Sequence, residues 1–341
     1  MKVGMYYSNA DVRVEEQPLP EVGRGDVLIR VVASGICGSD LMEWYRIKRA
    51  PLVLGHEVTG DIVEVGEDAT WLEVGDRVFA THHVPCGECL PCLRGHETAC
   101  RAFQEVNNFA PGGFSQFLRV TGRSVRTGIL KLPDEVSYET GTFVEPLATV
   151  VRAVRTIGLA PGESVLIYGA GLAGILFVKL AKALGAGTVA VTDVDNHRLE
   201  MARAAGADLV VPAALDAPRC MMEHDGRLAD KVIICTGAAS AAEAALRSVD
   251  RGGTVLFFAV GRPGEAIPVD FNPFWRNDVS LRTCYGAAPL DNWQALKLLS
   301  QGAVRVSDMI THRFGLEAIG EAFRTAACPG DCLKVLVEPN R

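Results

Sequence analysis

The chain has 341 residues, which is too long for one ordinary hydrophobic core, so its length predicts two domains. Hydrophobic residues make up 48% and charged residues 22%, and the apolar runs are short and interrupted, which excludes a transmembrane helix and predicts a soluble protein. The net charge is -7, and acidic and basic residues are interspersed along the chain. No basic stripe is available for nucleic acid, so we expect a small-molecule partner. The N-terminal residues lack an apolar signal segment, which predicts a cytoplasmic location.

Short β-rich runs alternate with Gly, Pro and Asp through residues 1–145. The runs at 27–32, 58–65 and 77–80 are typical of strands. This part of the chain is therefore expected to form an antiparallel, barrel-like domain.

The character of the sequence changes near residue 150, where apolar strands begin to alternate with Ala-rich helical segments. This alternation predicts a doubly wound parallel sheet between about 150 and 285. The predicted strands lie at 164–168, 188–192, 231–235 and 254–260, and the predicted helices at 172–184, 196–205 and 239–249. After the sheet, we expect helices near 293–300 and 316–327, and a last apolar strand at 333–337 that returns to the first domain.

A glycine-rich segment follows the predicted strand 164–168 directly and opens the next helix, with the sequence GAGLAG at 169–174. Gly169 permits a tight turn, Gly171 lets the backbone approach a pyrophosphate, and Gly174 lets helix and strand pack closely. The predicted dinucleotide-binding turn comprises Gly169, Gly171, Leu172, Ala173 and Gly174.

An acidic residue follows Gly174 by nineteen positions, at the end of the second predicted strand. The carboxylate of Asp193 can hydrogen-bond the adenosine ribose hydroxyls and would repel a 2′-phosphate, which favours NAD over NADP. The alternative is that Asp193 serves as an N-cap or turn residue. Arg198 and His197 lie close enough in sequence to soften the preference for NAD. Further cofactor contacts are expected from the strand-end residues Thr236 and Val260.

Four of the ten cysteines cluster within fifteen residues, namely Cys86, Cys89, Cys92 and Cys100. In a reducing cytosol such a cluster indicates metal binding rather than disulfides. Four thiolates are sufficient for a closed tetrahedral zinc site, which has no open position for substrate and stabilises a loop-rich lobe. An iron–sulfur cluster also takes four cysteines and is the main alternative. The other cysteines are interpreted as small buried hydrophobes, with the exception of Cys37.

Further motifs surround the glycine-rich turn and the cysteine cluster. They are GICGSD at 35–40, GHEVTG at 55–60, VGDRV at 74–78 and EPLA at 145–148. With these motifs the chain resembles the zinc-containing medium-chain dehydrogenase/reductase family over essentially its full length. Relatives often have a cysteine where this chain has Glu145, whereas the sorbitol, threonine and butanediol dehydrogenase branch has an acidic residue there, so the chain resembles that branch.

The resemblance implies an α/β fold with two domains. A GroES-like antiparallel β-barrel catalytic domain would comprise residues 1–150 and 286–341, with a structural zinc lobe at about 82–104. A Rossmann domain with a doubly wound parallel sheet would bind NAD at 151–285. The resemblance also implies a homo-oligomer, either a dimer or a tetramer.

A catalytic zinc is a further implication of the resemblance. Its ligands would be Cys37 and His56, and the remaining positions would be shared among Glu57, Glu145 and a water or substrate oxygen. Which carboxylate binds stays open, since carboxylates exchange with water at an open zinc site. The alternative for Glu145 is a charged residue at the start of a helix, before a proline. Two zinc ions per chain are therefore expected.

The implied reaction is the oxidation of an alcohol, in which zinc lowers the pKa of a bound hydroxyl group and the nicotinamide ring accepts a hydride. Ser39 matches the hydroxyl that hydrogen-bonds the substrate oxygen and begins proton release in relatives, and Thr149 is expected near the nicotinamide. Relatives often carry a histidine five residues after the zinc cysteine, whereas this chain has Met42, so its proton route should differ.

Positions 286 and 287 bear on the substrate. The sorbitol dehydrogenases that the chain resembles carry an Arg-Tyr pair where this chain has Gly286-Ala287, which argues against sorbitol. The sequence therefore predicts a zinc-dependent oxidoreductase that transfers a hydride from a secondary alcohol or polyol to NAD. The alternatives are a threonine-type hydroxy-amino acid dehydrogenase, an NADPH-dependent carbonyl reductase and a non-enzymatic, zinc-stapled NAD-binding sensor.

Overall fold

The computed structural model of the chain describes residues 1–328 and 330–341. Close contacts divide the chain into two compact units. The first unit is formed by Met1–Ala148 together with Ala287–Arg341, and the second by Thr149–Gly286. The first unit therefore contains both ends of the chain, and the second is an insertion in its sequence.

The strands are named in chain order. The first nine are β1 (Lys2–Ser8), β2 (Asp11–Glu16), β3 (Val27–Gly35), β4 (Leu52–Val53), β5 (Glu57–Val65), β6 (Arg77–Ala80), β7 (Phe109–Ala110), β8 (Phe117–Val120) and β9 (Ile129–Lys131). They are followed by β10 (Val165–Tyr168), β11 (Val189–Asp193), β12 (Leu209–Pro212), β13 (Ala229–Ile234), β14 (Val249–Phe257), β15 (Ser280–Thr283), β16 (Ile310–Gly315) and β17 (Lys334–Glu338).

The α-helices are numbered in the same way. They are α1 (Glu43–Arg46), α2 (Leu90–Leu93), α3 (Arg101–Glu105), α4 (Gly122–Thr127), α5 (Tyr138–Gly141), α6 (Val144–Ile157), α7 (Leu172–Ala183), α8 (Asn196–Ala204), α9 (Ala217–Asp225), α10 (Ala239–Leu246), α11 (Phe271–Arg276), α12 (Pro289–Ser300) and α13 (Ile319–Ala327). Short 3-10 helices span Gly38–Leu41, Ile47–Arg49, Glu97–Ala99, Ser307–Met309 and Leu316–Ala318. In the described part of the chain, no helix combines the length and the apolar character that crossing a bilayer requires.

The first unit is built on a mainly antiparallel sheet in which the strands follow the order β16-β17-β3-β5-β6-β9. Strand β8 pairs with β3 and β7, while β1 pairs with β2 and β4 in a second, smaller sheet. The last strand, β17, pairs with β3 and places Leu336 opposite Gly35, which confirms that the C-terminal strand returns to the first domain. This architecture agrees with the predicted antiparallel domain.

Strands β3 and β5 position the metal-ligand candidates. They pair antiparallel over nearly their whole length, from Val27 opposite Val65 to Gly35 opposite Glu57. Every second side chain of a strand faces the same side of the sheet, and the apolar ones here form a buried core. Its members on these strands are Val27, Ile29, Val31, Val58 and Ile62. Because this core fixes the register, the residues that follow β3 lie beside those that begin β5.

The second unit is a six-stranded parallel sheet in the order β12-β11-β10-β13-β14-β15. Counted from its first strand, this is the order 3-2-1-4-5-6 of dinucleotide-binding folds. The strand order and the intervening helices confirm the predicted doubly wound sheet. Its core includes fully buried side chains of β10, β13 and β14, namely Leu166, Val232 and Val255.

Some predicted element boundaries are wrong. The helix predicted at 239–249 ends at Leu246, and Val249 already begins β14, which ends at Phe257 rather than at 260. The glycines Gly252 and Gly253 lie within this strand and hid its start, since glycine is depleted in strands. The helix predicted at 316–327 begins as a 3-10 turn and becomes α-helical at Ile319.

Candidate active site and metal centres

The Cys37, His56 and Glu57 side chains meet in the first unit, where β3 ends and β5 begins. One ligand atom from each of the three lies within 4.8 Å of the others. Cys37 is the N-cap of the 3-10 helix Gly38–Leu41, and Glu57 is the first residue of β5. The antiparallel register of the two strands therefore assembles residues that are twenty positions apart in sequence.

His56 is oriented by a carboxylate that lies behind it. Its Nδ1 is 3.4 Å from Oδ1 of Asp40, whose side chain is fully buried. Asp40 also accepts a hydrogen bond from the Cys37 backbone N–H at 3.1 Å. Burial disfavours the charged imidazole, but the charges of Asp40 and Cys37 outweigh it and raise the pKa of His56 well above its usual range. A carboxylate on one ring nitrogen leaves the other free to bind a metal, which is the usual arrangement at zinc sites.

Glu57 is held by a cation from the last strand. The Lys334 ammonium contacts Oε2 of Glu57, and both side chains are completely buried. The same ammonium donates to the Ile36 carbonyl at 3.3 Å. Oε1 of Glu57 is buried and has no hydrogen-bond partner in residues 1–328 and 330–341. A buried carboxylate oxygen without a partner is costly, and a metal cation between Cys37 and His56 would satisfy it.

Glu145 is set slightly apart from this ligand set. It lies in the first turn of α6, is half-buried, and does not belong to the group whose ligand atoms lie within 4.8 Å of one another. Burial raises the pKa of Glu145 to about 7, with a further contribution from the charge of Glu57, against opposing effects of His56 and Lys334. The two candidate carboxylates are therefore not equivalent, since only Glu57 shares the compact set.

Ser39 is fixed from two sides. Its backbone N–H donates to the Cys37 sulfur at 3.5 Å, and its hydroxyl accepts a hydrogen bond from Arg46 at 3.0 Å. Arg46 also donates to the Ser39 carbonyl at 3.0 Å and lies 3.4 Å from Asp40. Met42, which stands where relatives often have a histidine, ends the 3-10 helix. Arg46 is thus the polar residue that the structure places against Ser39.

The four clustered cysteines also converge. The sulfurs of Cys86, Cys89, Cys92 and Cys100 lie within 4.8 Å of one another. Backbone N–H groups point at them, from Cys86 to the Cys100 sulfur and from Cys89 to the Cys86 sulfur, each at 3.3 Å. Burial opposes ionisation of Cys100, but hydrogen bonds from the Cys86 and Phe103 backbone lower its pKa to about 6. Four sulfurs with N–H donors fit a closed site for a thiolate-bound metal.

The glycine-rich turn has the backbone that a phosphate cradle requires. Gly169 has a φ of 105°, which disfavours other residues, and a Cβ on Gly174 would lie 1.9 Å from the Gly169 carbonyl oxygen. A Cβ on Gly171 would meet no heavy atom within 4 Å among the described residues. Helix α7 begins at Leu172, directly after this open position, and Ala173 continues its first turn. The turn therefore leaves space at the N-terminus of α7, where a pyrophosphate fits.

Asp193 ends β11 beside this turn. Its Oδ2 accepts a hydrogen bond from the Ala170 N–H at 2.6 Å, and its Oδ1 accepts one from the Asp195 N–H at 2.9 Å. The nearby Arg198 has a buried Nε without a hydrogen-bond partner in the described chain. Of the other predicted cofactor residues, Thr236 accepts from the Ala238 N–H at 3.3 Å and Val260 is 58% exposed.

Two family models of known proteins match the chain. The family model of the alcohol dehydrogenase GroES-like domain matches residues 23–134, and that of the zinc-binding dehydrogenase matches residues 173–301. An L-threonine 3-dehydrogenase of Rhizobium etli is 32% identical over 348 residues, covering 99% of each protein. A sorbitol dehydrogenase of Bacillus subtilis is 32% identical over 356 residues, covering 100% of this chain and 98% of that protein.

The chain belongs to the zinc-containing medium-chain dehydrogenase/reductase family. A crystal structure of a zinc-binding dehydrogenase from Sinorhizobium meliloti bound to NADP has a TM-score of 0.89, with 28% identity over 99% of each chain. The protein is accordingly a zinc-dependent oxidoreductase that acts on an alcohol with a nicotinamide cofactor.

In this zinc-containing dehydrogenase a cavity of about 90 Å3 lies next to the metal set, within the first unit. Its lining includes Tyr45, Arg46, Arg49, His56, His82 and His83. The His82 ring centroid is 5.4 Å from that of His56, and the Nδ1 of His82 is buried without a hydrogen-bond partner among the described residues. Burial, with smaller contributions from the charges of His56, Arg46 and Arg49, lowers the pKa of His83 to about 4. Burial also lowers the pKa of His82 well below its usual range.

Sequence reasoning missed three residues of the dehydrogenase site, namely Asp40, Arg46 and Lys334. Asp40 stood inside a recognised motif but had no assigned role. A lysine within the apolar segment LKVLVE was the available signal for Lys334, because lysine is almost never fully buried unless it is paired.

Gly286 has a φ of 61° and Ala287 is buried. The backbone thus provides a reason for glycine at 286 that is independent of the substrate.

Proposed function

We propose that this dehydrogenase oxidises a secondary alcohol that carries a neighbouring oxygen or nitrogen, with NAD+ as the hydride acceptor. The observation that carries the proposal is the compact set of Cys37, His56 and Glu57 with an unpartnered, buried Glu57 oxygen. We assign these three residues as ligands of a catalytic zinc. Glu145 is the carboxylate that exchanges with water or with a substrate oxygen at the metal. We assign Cys86, Cys89, Cys92 and Cys100 to a structural zinc.

Several residues of the chain have separable tasks in this reaction. When bound, zinc supplies the Lewis acidity that favours the ionised form of an alcohol, and NAD+ supplies the hydride acceptor. Ser39 accepts a hydrogen bond from Arg46, which holds its oxygen in place and leaves a second lone pair for the substrate hydroxyl. As Ser39 takes the proton of the substrate, it releases its own hydroxyl hydrogen to solvent water. The Arg46 guanidinium never gives up its proton, so it positions Ser39 and cannot pass the proton on.

In this proposal, zinc chemistry and cofactor binding belong to the two different domains expected from the sequence. Residues 1–150 and 286–341 would carry the zinc chemistry, and residues 151–285 would bind the cofactor. The proposed cofactor contacts are the backbone of Gly169, Gly171, Leu172, Ala173 and Gly174, with Asp193, Arg198, Thr236 and Val260, and Thr149 is assigned to the nicotinamide end. The open space in front of Gly171 supports the placement of the pyrophosphate.

The preference for NAD over NADP rests on Asp193. Each of its oxygens already accepts one backbone N–H, but an ionised carboxylate has about four lone-pair sites, so both remain able to accept ribose hydroxyls. Asp193→Gly removes this acceptor and the repulsion of a 2′-phosphate, so the ratio of kcat/KM for NAD+ to that for NADP+ should fall. A similar dehydrogenase binds NADP, so the preference has to be measured for this chain. Wild-type kinetics that favour NADP+ would show that the role assigned to Asp193 is wrong.

The substrate class is tested by a screen with NAD+ in which NADH formation is followed. Ethanol, 2,3-butanediol, sorbitol, an inositol and L-threonine should be compared under one set of conditions. We expect 2,3-butanediol or L-threonine to give the highest kcat/KM, because an oxygen-rich zinc site admits a second substrate heteroatom. L-threonine is a specific candidate, since a relative named L-threonine 3-dehydrogenase matches 99% of the chain. Ethanol as the best substrate, or a preference for sorbitol by orders of magnitude, would overturn the proposal.

We also propose that the chain forms a homo-oligomer, either a dimer or a tetramer. Strand β15 ends the parallel sheet, and three of its four side chains are exposed. An edge strand offers unpaired N–H and C=O groups to another chain, which supports association there. Light scattering of the purified protein tests this, and a monomer at micromolar concentration would contradict it.

A further inference from the structure

The cavity beside the metal set is rich in cations. We propose that it binds an anionic group of the substrate, either a carboxylate or a phosphate monoester, and that Arg49 selects for that group. The inference rests on the proposed function, since it assigns a substrate class to the same site. The evidence is the positive charge that lines the cavity and the difference between its two arginines in hydrogen bonds and ion pairs.

Positive charge dominates the lining. Arg46 and Arg49 are its cations, and the acidic residue among the lining residues is Glu105. Glu105 lies 3.4 Å from Arg101, four residues earlier in the same helix, in an exposed ion pair. The lining therefore carries two guanidinium groups and one carboxylate. Because Arg46 also lies 3.4 Å from the buried carboxylate of Asp40, the unmatched positive charge is that of Arg49, which attracts an anion that enters the cavity.

The two arginines differ in their surroundings. Arg46 is committed to Ser39 and Asp40, while its other terminal nitrogen makes no hydrogen bond to residues 1–328 or 330–341. Arg49 is exposed and has neither an ion pair nor a hydrogen bond in that part of the chain. Both guanidinium groups lie against the Tyr45 ring, at 4.8 Å for Arg46 and 5.9 Å for Arg49. Two cations on one aromatic ring repel each other, and an anion bound to both would relieve that repulsion.

The position of the cavity makes the anion part of the substrate. His56, a member of the proposed zinc set, lines the same cavity as Arg49, and Arg46 joins the cavity to Ser39. One water needs roughly 10–15 Å3 of such space, so a volume of about 90 Å3 holds a group of several heavy atoms. We therefore expect a short hydroxy acid or a short polyol phosphate to be preferred over a neutral alcohol of similar size.

Two pairs of alcohols that differ in charge test this with the zinc-loaded enzyme and NAD+. The pairs are 3-hydroxybutyrate with 1,3-butanediol, and glycerol 3-phosphate with glycerol. In at least one pair we expect the anion to have a kcat/KM at least tenfold higher, and the pair that shows it separates a carboxylate from a phosphate. R49Q should reduce that preference at least tenfold, mainly through KM. The matched control is K48Q, because Lys48 is exposed in the same 3-10 helix but does not line the cavity.

Titration of inorganic phosphate into wild-type, R49Q and K48Q protein by calorimetry provides a readout that does not depend on turnover. Weaker phosphate binding in R49Q alone supports the inference, even if no alcohol is oxidised and the proposed function fails. Equal binding in all three proteins overturns it. It is also overturned if the neutral alcohol is preferred in both pairs, or if R49Q changes neutral and anionic substrates alike.

Discussion

Asp40 shows how much a metal site depends on a residue that is not a ligand. It is completely buried, faces Nδ1 of His56, and is held by the Cys37 N–H and by Arg46. Its pKa is lowered because the charges of His56 and Arg46 and these hydrogen bonds outweigh the effect of burial. Asp40 therefore stays ionised and keeps the imidazole in one orientation.

We expect Asp40→Asn to weaken binding of the proposed catalytic zinc about 10–100-fold, the usual effect of losing a carboxylate behind a ligating histidine. The side chain keeps its shape, but the negative charge that orients His56 is lost. Competition with a chelator measures the affinity of each zinc. The cysteine-bound zinc serves as the internal control, and equal weakening of both ions would contradict the assigned role.

Lys334→Met should destabilise the protein by about 3–5 kcal/mol, the cost of leaving one member of a buried ion pair without its partner. Both Lys334 and Glu57 are completely buried, so water cannot replace the lost cation. Urea denaturation provides the measurement. Lys2→Met is the control, because its ion pair with Glu317 is exposed and should leave the midpoint unchanged. Similar shifts for the two variants would show that burial is not the deciding factor.

The ligand candidates could be predicted at the level of single residues, whereas the residues that support them could not. Cys37, His56 and Glu57 belong to short motifs, and the structure brings them together as expected. The partnership of Glu57 with Lys334 spans 277 positions and depends on the pairing of β17 with β3, which no local pattern encodes. Arg46 was hidden for a similar reason, because its contact with Ser39 depends on the break at Met42 between the 3-10 helix and α1.

At the scale of elements, buried apolar strands were predictable and exposed ones were not. Strand β10 is completely buried and begins within one residue of its predicted start. Strand β15 has the sequence SLRT and is mostly exposed, so its apolar signal is weak. Position in the sheet, rather than propensity, makes this segment a strand.

Two glycines of one turn should respond differently to substitution by alanine. Gly174→Ala places a Cβ 1.9 Å from the Gly169 carbonyl and should cost about 3 kcal/mol, the upper range for overpacking. Gly171→Ala meets no described atom and should leave thermal stability unchanged, while the added methyl group raises the Kd for NADH roughly tenfold by blocking the approach of the pyrophosphate. Thermal melts and NADH fluorescence titrations separate the effects. Unchanged NADH binding in Gly171→Ala would refute the proposed cradle.

Substitution of Cys100 in the four-cysteine cluster should affect folding, whereas substitution of Cys37 in the proposed catalytic ligand set should affect activity. Cys100→Ser removes a buried sulfur from a closed group of four, so we expect loss of folded structure or of assembly. Cys37→Ser should abolish turnover and largely spare NADH binding, since the open zinc site serves chemistry rather than folding. Circular dichroism and NADH titration of both variants provide the comparison. Equal loss of structure in both would remove the distinction between the two zinc sites.

For the whole molecule, we expect two zinc ions per chain in the purified protein. One complete set of four sulfurs and one set of sulfur, nitrogen and carboxylate donors are present. Elemental analysis measures the ratio, and Cys37→Ser should reduce it to one. Iron instead of zinc would favour the cluster alternative for the four cysteines.

The discontinuous first unit has a consequence for biosynthesis. Glu57 leaves the ribosome 277 residues before Lys334, which at about 5–20 residues per second is roughly 15–55 s. During that interval the whole of Thr149–Gly286 is made, so the nucleotide-binding unit is complete while the other still lacks β16 and β17. A nascent chain that stalls before Lys334 therefore has a complete cofactor-binding fold while Glu57 still lacks its cation.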